Sequence, residues 1–292
     1  MLKKHLFLLV ALLGGAGGFL FRTWQLQTAF EPYTRLPIPA APSTISLMLF
    51  SLLMLALFAV LAYFKRNKEP SERSEEEMQR SFILLLVTCA AAAATAMAAY
   101  GYFQEGKLLQ QMRRAVAQPQ EMNPFLVYLF AMISLGSAVA ILLIAFRRYQ
   151  KKSQPNSLAL MLPAFAGCLW LMVSYQKLAG DPFVTDYIFL LFAIMSGMLA
   201  HYFIAANSFQ RVRTTAIYIA AGSAIYFSLT TLASAPLSAH GLLCIAQVLY
   251  FVPTLLLLSR NDPAMKPIKD DSLADTLSAG GADDNPLKEE TP

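Results

Sequence analysis

The apolar segments of this chain hold few side chains that could do chemistry, and His201 is the most informative of them. It is the only histidine deep inside an apolar segment. At a helical rise of about 1.5 Å per residue, it lies roughly 20 Å from the start of its segment. The remaining polar residues of these segments are hydroxyl- and amide-bearing: Ser134, Ser137, Ser174, Tyr202, Asn207, Ser223, Tyr226, Ser228, Gln247 and Tyr250.

Two prolines interrupt apolar segments at a depth similar to that of His201. Pro163 and Pro253 have no N–H, so each leaves the carbonyl four residues earlier without its helical donor. These carbonyls belong to Ala159 and Leu249. One hypothesis is that His201, Pro163 and Pro253 form one polar layer, in which the imidazole N–H satisfies one of these carbonyls or a small solute binds where the helices are broken. We favour the alternative, a purely structural histidine that is hydrogen-bonded between helices.

Five residues are candidates for ligand binding. His201, Tyr226 and Gln247 carry polar groups within apolar segments, and a cavity lined by all three would favour a binding protein or permease. Glu31 and Arg35 lie in the first loop, close enough to pair with each other or to bind a polar ligand. A solidly packed bundle would instead favour a structural component.

The apolar segments lack the residue types that several kinds of chemistry require. The apolar segments contain no Asp, Glu, Lys or Arg, the usual carriers in ion- and proton-coupled transport. No G-x-S-x-G motif is present and no acid is available to orient His201, which disfavours a serine hydrolase. The cysteines Cys89, Cys168 and Cys244 lie in apolar segments, and we expect buried, inert thiols. We predict no catalytic residue, metal site or cofactor, and lean against an enzyme.

We expect the apolar segments that carry these residues to be membrane helices. Charged residues make up 14% of the chain, against about a quarter in soluble proteins. A helix needs roughly 20 apolar residues to cross a bilayer, and continuous runs favour helices over a barrel. We predict an all-α, polytopic integral membrane protein with eight transmembrane helices, at about 6–21, 45–64, 81–103, 124–146, 157–176, 187–210, 214–235 and 240–259.

The charges predict an orientation. Residues 1–260 hold 20 basic and 10 acidic residues, and residues 261–292 hold 3 and 8. Counted as far as Lys269, one alternating set of loops and ends carries 16 Lys and Arg and the other set carries 6, so the positive-inside rule places both termini in the cytoplasm. We predict a bundle over 1–260 and a disordered acidic tail over 261–292. An uncleaved first helix is favoured because no A-x-A site follows it, with a signal peptide as the alternative.

Three local patterns predict details of this bundle. Gly14 and Gly18 form a small-xxx-small pair that suits close helix packing. Arg22 and Trp24 follow the first segment as an interfacial anchor. The stretch "GKLLQQMRRAVAQ" at 106–118 has one apolar and one basic face, which predicts a short helix on the outer membrane surface.

The first loop, "TAFEPYTRLPIPAAP" at 28–42, contains four prolines, which predict an extended and stiff backbone. Leu36 and Ile38 are apolar enough to fold back on the bundle, either sealing it or capping a cavity. "WQLQTAFEPYTRLPIPAAP" at 24–42 resembles a pattern in uncharacterised multi-spanning membrane proteins of anaerobic Gram-positive bacteria. The resemblance covers about the first fifth of the chain. It implies a bacterial cell membrane, with no assigned activity and no site residues.

Two features of the apolar segments predict the function: they contain no charged residues, and some of their helix faces carry small residues such as Gly14 and Gly18. We expect a non-catalytic membrane component, such as a scaffold, accessory or sensing subunit. The alternative is a permease or binding protein for a neutral or lipid-like small solute. The expected partners are the lipid bilayer and either another protein or a second copy of the chain. Nucleic acid is not expected, because the basic residues flank apolar segments.

Overall fold

A computed structural model describes residues 2–31, 36–65, 82–115, 123–150, 157–178, 184–208, 214–234 and 238–259. These residues form helices α1 (Leu2–Thr28), α2 (Pro42–Lys65), α3 (Phe82–Ala115), α4 (Pro124–Tyr149), α5 (Ser157–Leu178), α6 (Val184–Ser208), α7 (Thr214–Leu232) and α8 (Ala239–Ser259). All eight are long and apolar enough to cross a membrane. This confirms the prediction of eight helical segments of that kind. The predicted tail over 261–292 and Arg35 lie outside the described residues.

Six of the helices form a ring. Each helix from α3 to α8 packs against the next one along the chain, and α8 packs back against α3. Short connections favour such antiparallel neighbours. The hairpin of α1 and α2 lies outside the ring, where both helices pack against α7. As a result α7 is the most deeply buried of the eight described helices.

Glycines allow α1 to approach two neighbours at once. A methyl group at Gly18 would overlap with the Thr230 hydroxyl on α7, and one at Gly14 would overlap with Met54 on α2. The two glycines therefore contact different helices, so they do not form one small-residue interface with a single neighbour. Close approach of this kind adds van der Waals contact between the helices. This contact is important in a bilayer because lipid provides no hydrophobic driving force for helix association.

Two helices are longer than their apolar cores. The first was predicted over 6–21, and α1 runs from Leu2 to Thr28. The third was predicted to end near residue 103, and α3 continues to Ala115. The prediction of a separate surface helix from residue 106 is therefore wrong. Apart from Gly106, the residues from 104 to 115 are all of types that favour helix: Gln, Glu, Lys, Leu, Met, Arg and Ala. The one poor helix former, Gly106, lies against Tyr128 of α4, where a methyl group would lie 2.9 Å from a ring carbon.

The described part of the first loop connects α1 to α2 and contains one short β-bridge. Phe30 pairs with Pro37 in an isolated antiparallel bridge, and the Ile38 N–H donates to the Ala29 carbonyl at 2.8 Å. Leu36 is 41% exposed and Ile38 43% exposed, so neither side chain is folded into the bundle as predicted. The first helical residue of α2 is Pro42, a position that needs no N–H and suits the fixed φ of proline.

Candidate functional site

A cavity lies in the six-helix ring, among the middle turns of α3, α4, α5, α6 and α8. The space between protein atoms, including the mouth, is about 480 Å³, and the centre of a water molecule can occupy about 50 Å³ of it. Its walls are mostly apolar, with Phe130, Ile141 and Leu243 among them. The polar groups on its walls belong to Thr95, Ser134, Ser137, Trp170, His201, Gln247 and Tyr250.

His201 on α6 lines this cavity with a free imidazole nitrogen. Its ring is packed against two aromatic rings of α8, with centroids 4.8 Å from Tyr250 and 4.7 Å from Phe251. The side chain is 7% exposed, and its Nδ1 atom has no hydrogen-bond partner among the described residues. The aromatic contacts hold the ring in place, and Nδ1 is buried without a hydrogen-bond partner.

Ser134 on α4 lines the same cavity and is also unpartnered. Hydroxyl groups within membrane helices commonly donate to the carbonyl four residues earlier. Ser51 does so to Leu47 at 2.7 Å, and Thr95 to Ala91 at 2.9 Å. The Ser134 Oγ makes no such bond, although its side chain is 1% exposed. Its hydroxyl is therefore a buried polar group without a hydrogen-bond partner among the described residues.

Gln247 on α8 is held from two sides. Its Oε1 accepts a 2.8 Å hydrogen bond from the Ser228 hydroxyl on α7. Its amide nitrogen lies against Gly197 on α6, where a methyl group would overlap with it. Gly197 leaves room for the amide in this orientation, and the Ser228 hydroxyl holds the side chain there.

The predicted polar layer is present in part. Pro163 on α5 lines the cavity together with His201, and its missing N–H leaves the Ala159 carbonyl without a helical donor. Pro253 is buried, yet it is not among the residues that line the cavity. The prediction of one layer is therefore wrong for Pro253.

Tyr226 lies away from the cavity, so the predicted cavity lined by His201, Gln247 and Tyr226 is present for two of the three residues. Its hydroxyl is 2.7 Å from the Ser51 hydroxyl on α2, and its ring packs against Phe50 and Phe58 of the same helix. Two residues further along α7, Ser228 reaches Gln247 instead. A step of two residues turns about 200° around a helix, which explains why the two side chains face opposite neighbours.

Trp170 connects the cavity to a second polar cluster. Its ring lines the cavity, while its Nε1–H donates to Nδ1 of His240 at 3.2 Å. The Tyr102 hydroxyl lies 2.6 Å from the same Nδ1 atom. An indole N–H can only donate, so Nδ1 acts as the acceptor and the imidazole proton is assigned to Nε2. One turn beyond Tyr102, Glu105 of α3 pairs with Lys177 of α5 at 2.5 Å.

Arg22 is a buried cation that the sequence analysis placed outside the first segment. It is 1% exposed, so the prediction that it is an interfacial anchor is wrong. Its Nε donates to the Ser234 hydroxyl at 3.2 Å and its Nη1 to Oε1 of Gln25 at 2.6 Å. The guanidinium also lies over the Phe189 ring, 5.4 Å from the centroid. It therefore joins α1 to α6 and to the end of α7.

The other predicted residues lie elsewhere. Glu31 is exposed on the first loop and is not a cavity residue. Cys244 is buried as predicted, whereas Cys168 is exposed and Cys89 is half-buried, so the prediction of three buried thiols is wrong for two of them. Among the described residues, no three His, Cys, Asp or Glu side chains are grouped so that they could hold a metal ion.

The fold defines the class of the protein. Over the described residues it is an all-helical chain whose eight helices have the length and apolarity of membrane spans. Comparison with protein families, with curated proteins and with solved structures finds no match for this chain. The resemblance noted for residues 24–42 therefore stays a prediction.

Proposed function

We propose that this chain is an integral membrane protein that binds a small, uncharged solute in the cavity of the six-helix ring, as a binding protein or a permease. One observation carries the proposal: two residues that line the same cavity, His201 and Ser134, each have a buried side-chain atom without a hydrogen-bond partner among the described residues. Leaving a buried polar group unpaired costs about 1–3 kcal/mol. A shift of either side chain toward the cavity would let a solute pair with it and recover that free energy.

The walls favour an uncharged solute. The residues that line the cavity include no Lys, Arg, Asp or Glu, and an ion at this depth would lack a counter-charge. The volume open to water-sized molecules is about 50 Å³, and one water needs roughly 10–15 Å³ by that measure. The cavity therefore has room for a few waters or for a solute of comparable size.

We propose a location as well. The segregation of 16 against 6 basic residues between alternate loops supports cytoplasmic termini, and the resemblance of residues 24–42 supports a bacterial cell membrane. With this orientation the start of α1 and the end of α8 face the cytoplasm, and the first loop faces outward. Arg22 then lies near the outer end of the bundle.

The experiment is to extract the full chain from its own membrane in mild detergent, denature it and identify released small molecules by mass spectrometry. The double variant Ser134→Ala/His201→Phe removes both unpartnered groups. Ser174→Ala is the matched control, because the Ser174 hydroxyl is also buried and unpartnered but lies off the cavity. We expect a solute from the wild type and the control and its loss from the double variant.

A scaffold or accessory subunit is the competing function. A stoichiometric protein companion, with no solute released from either the wild type or the control, would favour that function and contradict the proposal. Equal amounts of solute from the double variant and the wild type would also contradict it, because the cavity would not be the binding site.

A further inference from the structure

We infer that four residues, Tyr102, Phe130, Trp170 and His240, form an aromatic layer that closes the cavity against water at the end of the ring where α8 begins. The inference rests on the proposed function and deepens it, because it assigns the side chains that a solute must pass to enter or leave at this end. It follows from contacts that cross the ring, from the position of the layer next to the cavity, and from the burial on its two sides.

The side chains of the aromatic layer come from four helices and contact one another. The Tyr102 ring on α3 packs edge-on against Phe130 of α4, with centroids 4.7 Å apart, and against His240 of α8 at 5.4 Å. The Trp170 ring on α5 lies nearly parallel to the His240 ring at 6.4 Å. Nδ1 of His240 is 3.2 Å from the Trp170 indole nitrogen and 2.6 Å from the Tyr102 hydroxyl. Ring contacts and hydrogen bonds therefore hold the layer together.

The contact between Trp170 and His240 crosses the interior of the ring. Each helix from α3 to α8 packs against the next one, and α8 packs back against α3, so α5 and α8 lie opposite each other with two helices between them on either side. A side chain of α5 that reaches α8 therefore spans the space that the ring encloses. One turn beyond Tyr102, the ion pair of Glu105 with Lys177 joins α3 to α5, which are likewise not neighbours in the ring.

The aromatic layer lies directly next to the cavity. Phe130 and Trp170 belong to the layer and also line the cavity. On α8, Leu243 lines the cavity and follows His240 by three residues, which is about 4.5 Å along the helix axis. Less than one helical turn therefore separates His240 from the cavity wall.

Burial increases sharply across the aromatic layer. On the side away from the cavity, His240 is half-buried, and the paired side chains of Lys177 and Glu105 are 38% and 25% exposed. A partly exposed ion pair indicates water at this end of the bundle, because charges are costly in hydrocarbon. Tyr102 and Trp170, in contrast, are at most 3% exposed. Water reaches His240 and stops at these rings, so the layer is the closed state of this end.

The test measures how fast a reagent in water reaches a cysteine on the cavity wall. In the parent protein, Cys89, Cys168 and Cys244 are replaced by alanine, and Ala246, which lines the cavity, is replaced by cysteine. The full chain in phosphatidylcholine nanodiscs is treated with 2-sulfonatoethyl methanethiosulfonate, a small anion that dissolves in water and not in lipid. Mass spectrometry of the intact protein gives the rate of modification. Denatured parent protein serves to show that the thiol reacts once it is accessible.

We expect slow modification of the parent protein, because buried thiols are inert. Tyr102→Ala removes a ring from the aromatic layer and should raise the rate by at least about tenfold, since it makes the thiol accessible. Tyr100→Ala is the matched control, because it removes the same ring from a position on α3 that is 65% exposed, and it should change the rate by less than about twofold. If Tyr102→Ala does not fold, His240→Ala decides alone, because His240 is only half-buried.

Two results would overturn the inference. Modification of the parent protein as fast as that of the Tyr102→Ala variant would show that the aromatic layer does not close the cavity. A rate that stays slow in both Tyr102→Ala and His240→Ala would place the barrier elsewhere. Either result leaves the proposed function intact if the purified wild type releases a solute. A faster rate in Tyr102→Ala without any released solute would instead support the barrier and overturn the proposed function.

Discussion

Ser228 on α7 donates a 2.8 Å hydrogen bond to Oε1 of Gln247 on α8, and this bond links a helix that does not line the cavity to one that does. It leaves Gln247 with a fixed orientation on the cavity wall. The contact explains how the α7 surface influences the site although α7 contributes no lining residue. Substitutions of Ser228 should therefore affect both stability and binding.

Ser228→Ala should lower the free energy of unfolding by about 1–2 kcal/mol, because it leaves the buried Gln247 carbonyl without its donor. Denaturant unfolding in detergent micelles measures the change. Ser223→Ala on the same helix is the matched control and should change stability by less than about 0.5 kcal/mol. Equal effects of the two substitutions would show that the Ser228–Gln247 bond contributes little.

Gly197→Ala should displace the Gln247 amide, since the added methyl group overlaps with its nitrogen. Overpacking of this kind costs about 1–3 kcal/mol, and it should also lower the amount of solute that the purified protein retains. Gly136→Ala is the control, because its methyl group would lie 3.3 Å from the flexible end of Leu162. A Gly197→Ala protein with wild-type stability and wild-type binding would contradict the described crossing of α6 and α8.

Arg22→Lys should lower the free energy of unfolding by about 2 kcal/mol. A lysine ammonium lacks the planar fork that bonds Ser234 and Gln25 together, and hydrogen bonds to charged groups contribute about 1.5–3 kcal/mol. Lys107→Ala is the control, because Lys107 is exposed above the Phe103 ring and should contribute less than about 1 kcal/mol. Similar small effects for both would place Arg22 at the surface.

His240 should carry its proton on Nε2. Trp170 donates to Nδ1 at 3.2 Å, and a ring nitrogen that accepts a hydrogen bond carries no proton. Nδ1 has a single lone pair, so the Tyr102 hydroxyl, 2.6 Å away, competes with the indole for it. Nitrogen NMR of histidine-labelled protein distinguishes the two tautomers, with His240→Gln identifying the resonance. A proton found on Nδ1 would mean that the Trp170 N–H bonds elsewhere, and the link between the cavity and this cluster would fail.

Hydropathy was sufficient to predict the number of spanning helices but not all of their ends. Apolar runs of spanning length have few structural alternatives in a bilayer, so eight helices were predictable. Ending the first segment before its first charged residue excludes Arg22 from α1. The helix accommodates Arg22 because Ser234, Gln25 and Phe189 contact the guanidinium. Ser234 and Phe189 are distant from Arg22 in the chain, and no local sequence pattern predicts such contacts.

The cavity residues were predictable only in part. His201 and Gln247 stood out as rare polar residues in apolar segments, and both line the cavity. Tyr226 stood out for the same reason and faces α2 instead. A helix that is apolar on all sides does not reveal which face meets its neighbours. For that reason the sequence did not predict that Tyr226 faces away from the cavity. It also did not predict that Trp170 lines the cavity.

An experimental density map of the full chain in lipid nanodiscs, at a resolution that shows side chains and ordered solvent, tests whether the cavity binds a solute. We expect density for a bound solute, larger than a water molecule, in contact with His201 and Ser134. A cavity that is closed by side chains, or that holds only ordered water, would contradict solute binding there.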